Sequence, residues 1–311
     1  SSAVLRTTNG GSNWYQSILN QDSMGFFGLF IINVNTGWIA GNKEPNSPYP
    51  NAVYKTTNSG LNWILQYQST GRLADIFFIN AQTGWIAGQS LLKTTNSGTN
   101  WFIVSSSEYK PTLSVFFLNE NTGWVGGNPQ SNVSIMKTTN GGSSWVNQLM
   151  GDHCYSIQFT TAITGYAATF GGIKKSSDSG STWNTIYSAD YGVSLVFANS
   201  DVGWALAQWG NPTRRQIVKT TNAGYSWTDQ GYTDPKILNN LFMLNVNTGW
   251  VVGDEGVIYK TTNGGVTGFQ PISNVMPEKF SLHQNYPNPF NPSTKIKFDI
   301  SGSAVTQTFL S

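Results

Sequence analysis

Seven copies of one turn sequence, a second motif between successive copies, and a composition poor in charge together predict an all-β fold: a β-propeller, a ring of four-stranded blades. The turn sequence reads Thr-Thr-Asn-Gly-Gly-Ser-Asn-Trp at residues 7–14, and its copies end at Trp14, Trp63, Trp101, Trp145, Trp183, Trp227 and Gly268. The intervals of 49, 38, 44, 38, 44 and 41 residues each fit one blade. The second motif, Asn-Thr-Gly-Trp at residues 35–38, returns around Trp85, Trp124, Tyr166, Trp204 and Trp250, behind short apolar runs such as Val115-Phe116-Phe117-Leu118. Charged residues make up 10% of the 311, against about a quarter in average domains, whereas 33 glycines and 12 tryptophans suit short strands and tight turns.

Each turn copy, or box, has the chemistry of a tight hairpin. The Asn9 side chain bonds the backbone beyond it, Gly11 accepts left-handed angles, and Trp14 opens the outgoing strand with a large apolar surface and an indole N–H free for a turn carbonyl. Trp63, Trp101, Trp145, Trp183 and Trp227 repeat that role, so these tryptophans are expected to be structural. Around the fourth box the strands read as A (residues 115–118), B (123–127), C (135–138) and D (144–148), and the other repeats align with them. Residues 3–20 supply only C and D. The expectation is therefore a seven-bladed propeller with six full blades and one half blade, with a six-bladed ring plus an extra hairpin as the alternative.

The box sequence T-T-N-G-G-x-x-W resembles the Asp-box (BNR) repeat. The combined pattern, F-x-N-x-N-T-G-W-x-x-G followed by I-x-K-T-T-N-G-G-x-x-W, resembles the photosystem II assembly-factor class of BNR propeller over residues 5–268. The departure is at the acid. Only Asp178 keeps it, and Asn9, Asn58, Asn96, Asn140, Asn222 and Asn263 stand elsewhere, so the turn survives while a carboxylate calcium site does not. No metal or cofactor is expected.

After Pro271 the repeat stops. Residues 284–294, with Asn285, Tyr286, Pro287, Asn288, Pro289, Phe290 and Pro292, exclude helix and central strand. Together with the alternating residues 295–300 they resemble the opening of a type IX secretion C-terminal sorting domain, although residues 302–311 do not continue that pattern. The expected organisation is a propeller over 1–270, a linker over 271–279 and a truncated sorting segment over 280–311. The resemblance implies secretion machinery as a partner and an extracellular or outer-membrane-surface location, with any N-terminal export signal lying ahead of Ser1.

A net charge of +2 from 17 basic and 15 acidic residues offers no basic stripe, so nucleic acid is not an expected partner. No apolar run approaches the ~20 residues of a transmembrane helix. Cys154, the single cysteine, forms no internal disulfide, and a monomer is expected. Because strands alternate in direction, both motifs fall on one face of the ring and the irregular B–C and D–A loops on the other. That second face carries Lys43, Glu44, Glu108, Tyr49, His153, Asp190, Asp234 and the candidate ligand contacts Trp209, Tyr109, Arg72, Arg214, Arg215, Asp152 and Tyr191. Trp209 leads because it lies outside both motifs. Asp152-His153-Cys154 reads as the start of a strand with a buried thiol rather than as a catalytic set.

These features favour a non-catalytic binding or scaffold module for a glycan or an envelope protein. The alternatives are a glycoside hydrolase of sialidase or endoglucanase type and an assembly factor for an envelope complex. With Arg6, Arg72, Arg214 and Arg215 as its only arginines, the chain lacks the cluster a sialidase needs. Glu108, Asp152, Asp190 and Asp234 are expected to point apart rather than meet at the roughly 6.5–9.5 Å of an inverting hydrolase.

Overall fold

The computed structural model describes residues 3–19, 24–43, 50–104, 112–127, 133–210, 215–234, 236–266, 268–272, 281–282 and 298–299. Every sheet in it is antiparallel. A two-stranded sheet, β1 (Ala3–Arg6) and β2 (Tyr15–Ile18), precedes β3 (Met24–Ile31), β4 (Gly37–Lys43), β5 (Asn51–Thr56) and β6 (Ile64–Ser69). Next come β7 (Leu73–Phe78), β8 (Gly84–Gly88), β9 (Leu92–Thr94) and β10 (Phe102–Ile103), then β11 (Thr112–Phe117), β12 (Gly123–Gly127), β13 (Val133–Thr138) and β14 (Val146–Met150). A six-stranded sheet holds β15 (Cys154–Phe159), β16 (Gly165–Ser176), β17 (Asn184–Phe197), β18 (Gly203–Gln208), β19 (Arg215–Thr220) and β20 (Thr228–Asp229). The last blade is β21 (Leu238–Met243), β22 (Gly249–Gly253), β23 (Ile258–Thr261) and β24 (Gln270–Pro271), and β25 (Ser281–Leu282) pairs with β26 (Phe298–Asp299). Among the described residues no helix is long and apolar enough to cross a membrane.

The all-β propeller is as expected, but it has five blades rather than seven or six. Two repeats share one sheet. Gly171 and Gly172, at φ 86° and 117°, turn so tightly that β16 carries the B and C positions without a break. Tyr191 then pairs with Phe170 on one side and Gln208 on the other, so β17 continues from one repeat into the next. At the other end, β1 and β2 stand as a hairpin by themselves.

All seven boxes share the hydroxyl bonds of one closure, and the six with described residues throughout add the Asn or Asp side-chain bond. The Thr7 hydroxyl accepts the Gly11 N–H at 2.9 Å and donates to the Asn9 side chain, which accepts the Asn13 N–H at 2.8 Å. Asp178 does no more than the asparagines here: it accepts the Thr182 N–H at 2.8 Å and the Ser176 hydroxyl. Its second oxygen takes the Thr182 hydroxyl, and that bond leads the set holding its carboxyl down at about 2. The residue before the box glycine is left-handed even where it carries a side chain, as at Ser59, Ser97, Ser179 and Ala223. Its N–H bonds the A–B turn of its own repeat, for example Ser97 to the Gln82 carbonyl at 2.8 Å and Ala223 to Asp201 at 2.8 Å. The two motifs therefore share a face.

The core separates the tryptophans by burial. Trp38, Trp85, Trp124, Tyr166 and Trp204 of the second motif are fully buried, whereas the box residues Trp14, Trp63, Trp145, Trp183 and Trp227 are half-buried and only Trp101 is buried. Four second-motif rings stack on the A-strand phenylalanine of the following repeat: Trp38 on Phe78 at 3.7 Å, Trp85 on Phe117 at 3.7 Å, Trp124 on Phe159 at 3.6 Å, and Tyr166 on Phe197 at 3.7 Å. The box tryptophan then meets the same phenylalanine edge-on, as Trp101 does Phe78 at 5.9 Å. The box indole N–H finds a turn carbonyl at Trp145, which donates to Gly142, but those of Trp14, Trp63, Trp101, Trp183 and Trp227 have no partner among the described residues. The second-motif groups do the bonding instead, Trp38 to the Ser97 carbonyl, Trp124 to Ser179, Tyr166 to Ala223 and Trp204 to Gly264.

A lysine ladder reinforces these joints. Lys55, Lys93, Lys137, Lys175, Lys219 and Lys260, each one residue ahead of a box, lie 5.1 to 5.6 Å over the aromatic ring of their own second motif. Lys55, Lys175 and Lys219 also donate to the box carbonyls of Ser97, Ala223 and Gly264 in the next repeat. Lys260 donates to the Gly10 carbonyl at 2.7 Å and so joins the last repeat to the first hairpin.

Candidate functional site

The irregular face carries two aromatic pairs in the middle of β16 and β17 and just beyond the end of β18. Phe170 and Tyr191 meet edge to face at 5.1 Å, and Tyr187 meets Trp209 in the same manner at 5.8 Å. Trp209 is 44% exposed and Phe170 47%, so both present ring surface to solvent. Asp190 fixes the arrangement: its Oδ2 accepts the Gly210 N–H at 2.5 Å, which pins the chain directly after Trp209. A cleft of about 430 Å³ results, lined by Phe170, Gly171, Ala189, Asp190, Tyr191, Gln208 and Gly210.

A polar line adjoins it. Arg215 donates from Nη1 to the Leu238 carbonyl at 2.5 Å and to Asn239 Oδ1 at 3.0 Å, and Asn239 donates to Asp254 at 2.6 Å. Burial pulls the Arg215 guanidinium below its usual value against the opposing pull of Asp254 and Tyr155. Its Nε has no partner among the described residues. His153 stacks on Tyr155 at 5.8 Å, and the His153 carbonyl accepts the Phe170 N–H at 2.9 Å.

The structure thus gathers Tyr191 and Asp190 into one cleft with Phe170, while Trp209 packs on Tyr187 just before the lining residue Gly210. Arg72 lies elsewhere, over the Phe27 ring at 5.5 Å. Asp152 pairs with Lys174 at 3.1 Å, and Asp234 accepts hydrogen bonds from the Tyr259 hydroxyl and, at 3.0 Å, the Lys236 N–H. The Tyr259 bond holds the Asp234 carboxyl below the ordinary range, and burial raises the Tyr259 hydroxyl. These acids are therefore each held by a different neighbour. Cys154 is buried, and burial pushes its thiol up to about 12, the opposite of what a nucleophile needs. Glu44, Tyr49, Glu108, Tyr109, Arg214 and Asn285 through Pro292 lie outside the described residues. Among the described residues no cluster of three or more His, Cys, Asp or Glu could hold a metal ion.

Sequence reasoning missed Phe170, which looks like one more strand residue, and Asn239 and Asp254, which connect to Arg215 only through the ring. It also missed a groove of about 1030 Å³ beside Gly268, the seventh box's replacement for tryptophan. There Phe269 takes over the packing: a Cβ at Gly265 would lie 3.3 Å from its ring, as one at Gly60 would lie 3.6 Å from Trp63.

A family profile described as "Photosynthesis system II assembly factor YCF48" matches residues 64–207. The chain is a β-propeller that resembles this repeat family over residues 64–207. A solved structure titled "YCF48 bound to D1 peptide" is similar with TM-score 0.66 and 16% identity, over 84% of this propeller chain and 86% of that one. A GH74 enzyme from Niastella koreensis is similar with TM-score 0.66 and 15% identity over 84% of this chain. The extracellular domain of the putative one-component system BT4673 from B. thetaiotaomicron has TM-score 0.63 and 12% identity over 81%. This chain spans 48% of the Niastella enzyme and 34% of the B. thetaiotaomicron chain. At these identities the likeness is one of fold. No curated protein sequence matches it.

Proposed function

We propose that this propeller is a non-catalytic binding module that takes an extended polypeptide segment across the cleft at Phe170, Tyr191 and Gln208 and onto the neighbouring exposed Trp209, in a protein exported to the cell surface. The geometry of the aromatic pair carries the reading. Phe170 and Tyr191 stand at 89° to one another, which makes a notch for one inserted side chain rather than the flat platform a sugar ring stacks on. The similar fold of YCF48 with its D1 peptide is a precedent for peptide binding on such a ring. The string at 284–294 supports export by a type IX route, and a reporter carrying residues 271–311 tests it by its appearance outside the cell.

The binding experiment is a peptide array on the full chain, with Phe170→Ala and Trp209→Ala as variants and a glycan array in parallel. Peptides bound by the wild type and weakened about 30-fold or more in the variants, the loss of a buried interface anchor of about 2 kcal/mol, support the reading. Glycan binding with a blank peptide array, or cleavage of chromogenic glycosides, overturns it.

A further inference from the structure

The inner strands of the ring pack in sequence, β3 on β7, β7 on β11, β11 on β15, β15 on β17 and β17 on β21, but no comparable packing joins β21 to β3 among the described residues. Both walls of that interval are apolar and open. Leu29 is 60% exposed and Ile31 54%, whereas Ile76 and Phe78, which hold the same places after the bulge in β7, are each 2%. In every other repeat those two places are covered by the preceding repeat. On the far wall Phe242 is exposed, and Trp250 is half-buried where its counterparts Trp124 and Trp204 are fully buried.

The hairpin between these walls is unfinished in the matching way. β1 pairs with β2 on one edge only, while β5, β9, β13, β19 and β23 each pair on both. Leu5 is 38% exposed where Tyr54, Leu92 and Val218 are buried. Six boxes give the N–H before their glycine to an A–B turn carbonyl of the same repeat at 2.7 to 2.9 Å, but the Gly10 N–H has no such partner among the described residues.

We infer that this interval is a docking slot for a β-strand pair of the repeat's own A–B type, entering ahead of Ala3 in the A-B-C-D order that the other repeats keep. The slot specifies its occupant. Strand B pairs antiparallel with the free edge of β1, and its tryptophan covers Leu29 and Ile31. Strand A sets an apolar side chain on Trp250. The turn between them, of Asn-Thr-Gly type, offers a carbonyl to the Gly10 N–H. A free strand edge flanked by exposed apolar side chains is the surface that natural sheets keep covered.

The test grafts a copy of residues 238–253 ahead of Ser1 through a three-residue linker, the length that joins β8 to β9. The grafted chain is expected to melt about 5 °C or more above the parent, and the Gly10 amide to gain protection from hydrogen exchange. A graft of the same residues in shuffled order should give neither. Leu29→Asn with Ile31→Asn should leave the ungrafted chain melting as before and cancel the gain from the graft. The inference is overturned if the true and shuffled grafts melt alike, if the wall variants keep the gain, or if the ungrafted chain forms a dimer that the graft leaves intact. The last result would assign the slot to a second copy.

Discussion

The two faces of this ring are built from the same strands and obey different rules. On the motif face every box repeats one bond, Thr7 to Gly11 or Thr94 to Gly98, and four joints repeat one stack, as Trp38 on Phe78 or Trp124 on Phe159. On the loop face the described side-chain contacts are individual: Asp190 pins Gly210, Arg215 reaches Asn239, and Arg72 lies over Phe27. The contrast shows where stability and recognition reside. Periodic contacts hold neighbours together, and the singular ones are free to serve a ligand.

The largest test of that division is Trp124→Ala, which removes a fully buried ring and should cost about 3–5 kcal/mol in chemical denaturation. The half-buried Trp145 should cost clearly less on truncation, about 1–3 kcal/mol, and equal losses would break the ranking of the two motifs.

Asp75 gives the next effect, at the inner edge between two repeats. It accepts the Val115 N–H at 3.0 Å and the Ile76 N–H at 2.8 Å, yet burial outweighs these bonds and lifts its carboxyl from 3.8 to about 6. A raised value stabilises the fold below the unfolded pKa, and that contribution is lost as pH climbs through 6. Asp75→Asn is therefore expected to melt higher than wild type at pH 7.5, by about 1–3 kcal/mol, and to lose that advantage at pH 4. Parallel melting curves at both pH values would contradict it.

Lys260→Met removes one donor and one cation from the joint with Gly10 and should cost about 1 kcal/mol. The same substitution at Lys93, which lies over Trp85, offers a comparison away from the junction. Smallest of all, Trp209→Ala should change stability by no more than about 0.5 kcal/mol while weakening peptide binding. A large loss of stability there would mean that the loop face also carries the fold.

The box turns were legible because their chemistry is complete within seven residues: Thr, Asn and Gly at fixed offsets need no distant partner. Strand alternation likewise placed both motifs on one face. The blade count was not legible, since it depends on whether pairing runs through Gly171-Gly172 and past Asp190, and a sequence of turn residues reads the same either way. The burial order of the tryptophans was hidden for a related reason. Trp38 is covered by Phe78 from the next repeat, whereas Trp63 looks out along its own strand. Lysines before each box look like solvated surface until the ring places a carbonyl in front of them. At the cleft, Trp209 and Tyr191 stood out by type, but Phe170 joined them only through cross-strand register.

The bond from Lys260 to the Gly10 carbonyl spans 250 residues and so has a temporal side. During synthesis each middle repeat meets its neighbour soon after leaving the ribosome, because the partner lies some forty residues behind. Within these repeats the first hairpin is made before the others and clasped from behind last, once the final box has emerged. Until then the repeats form an open arc with an adhesive strand at the hairpin. A rare-codon pause ahead of the last repeat would prolong that exposure and favour pairing between neighbouring nascent chains.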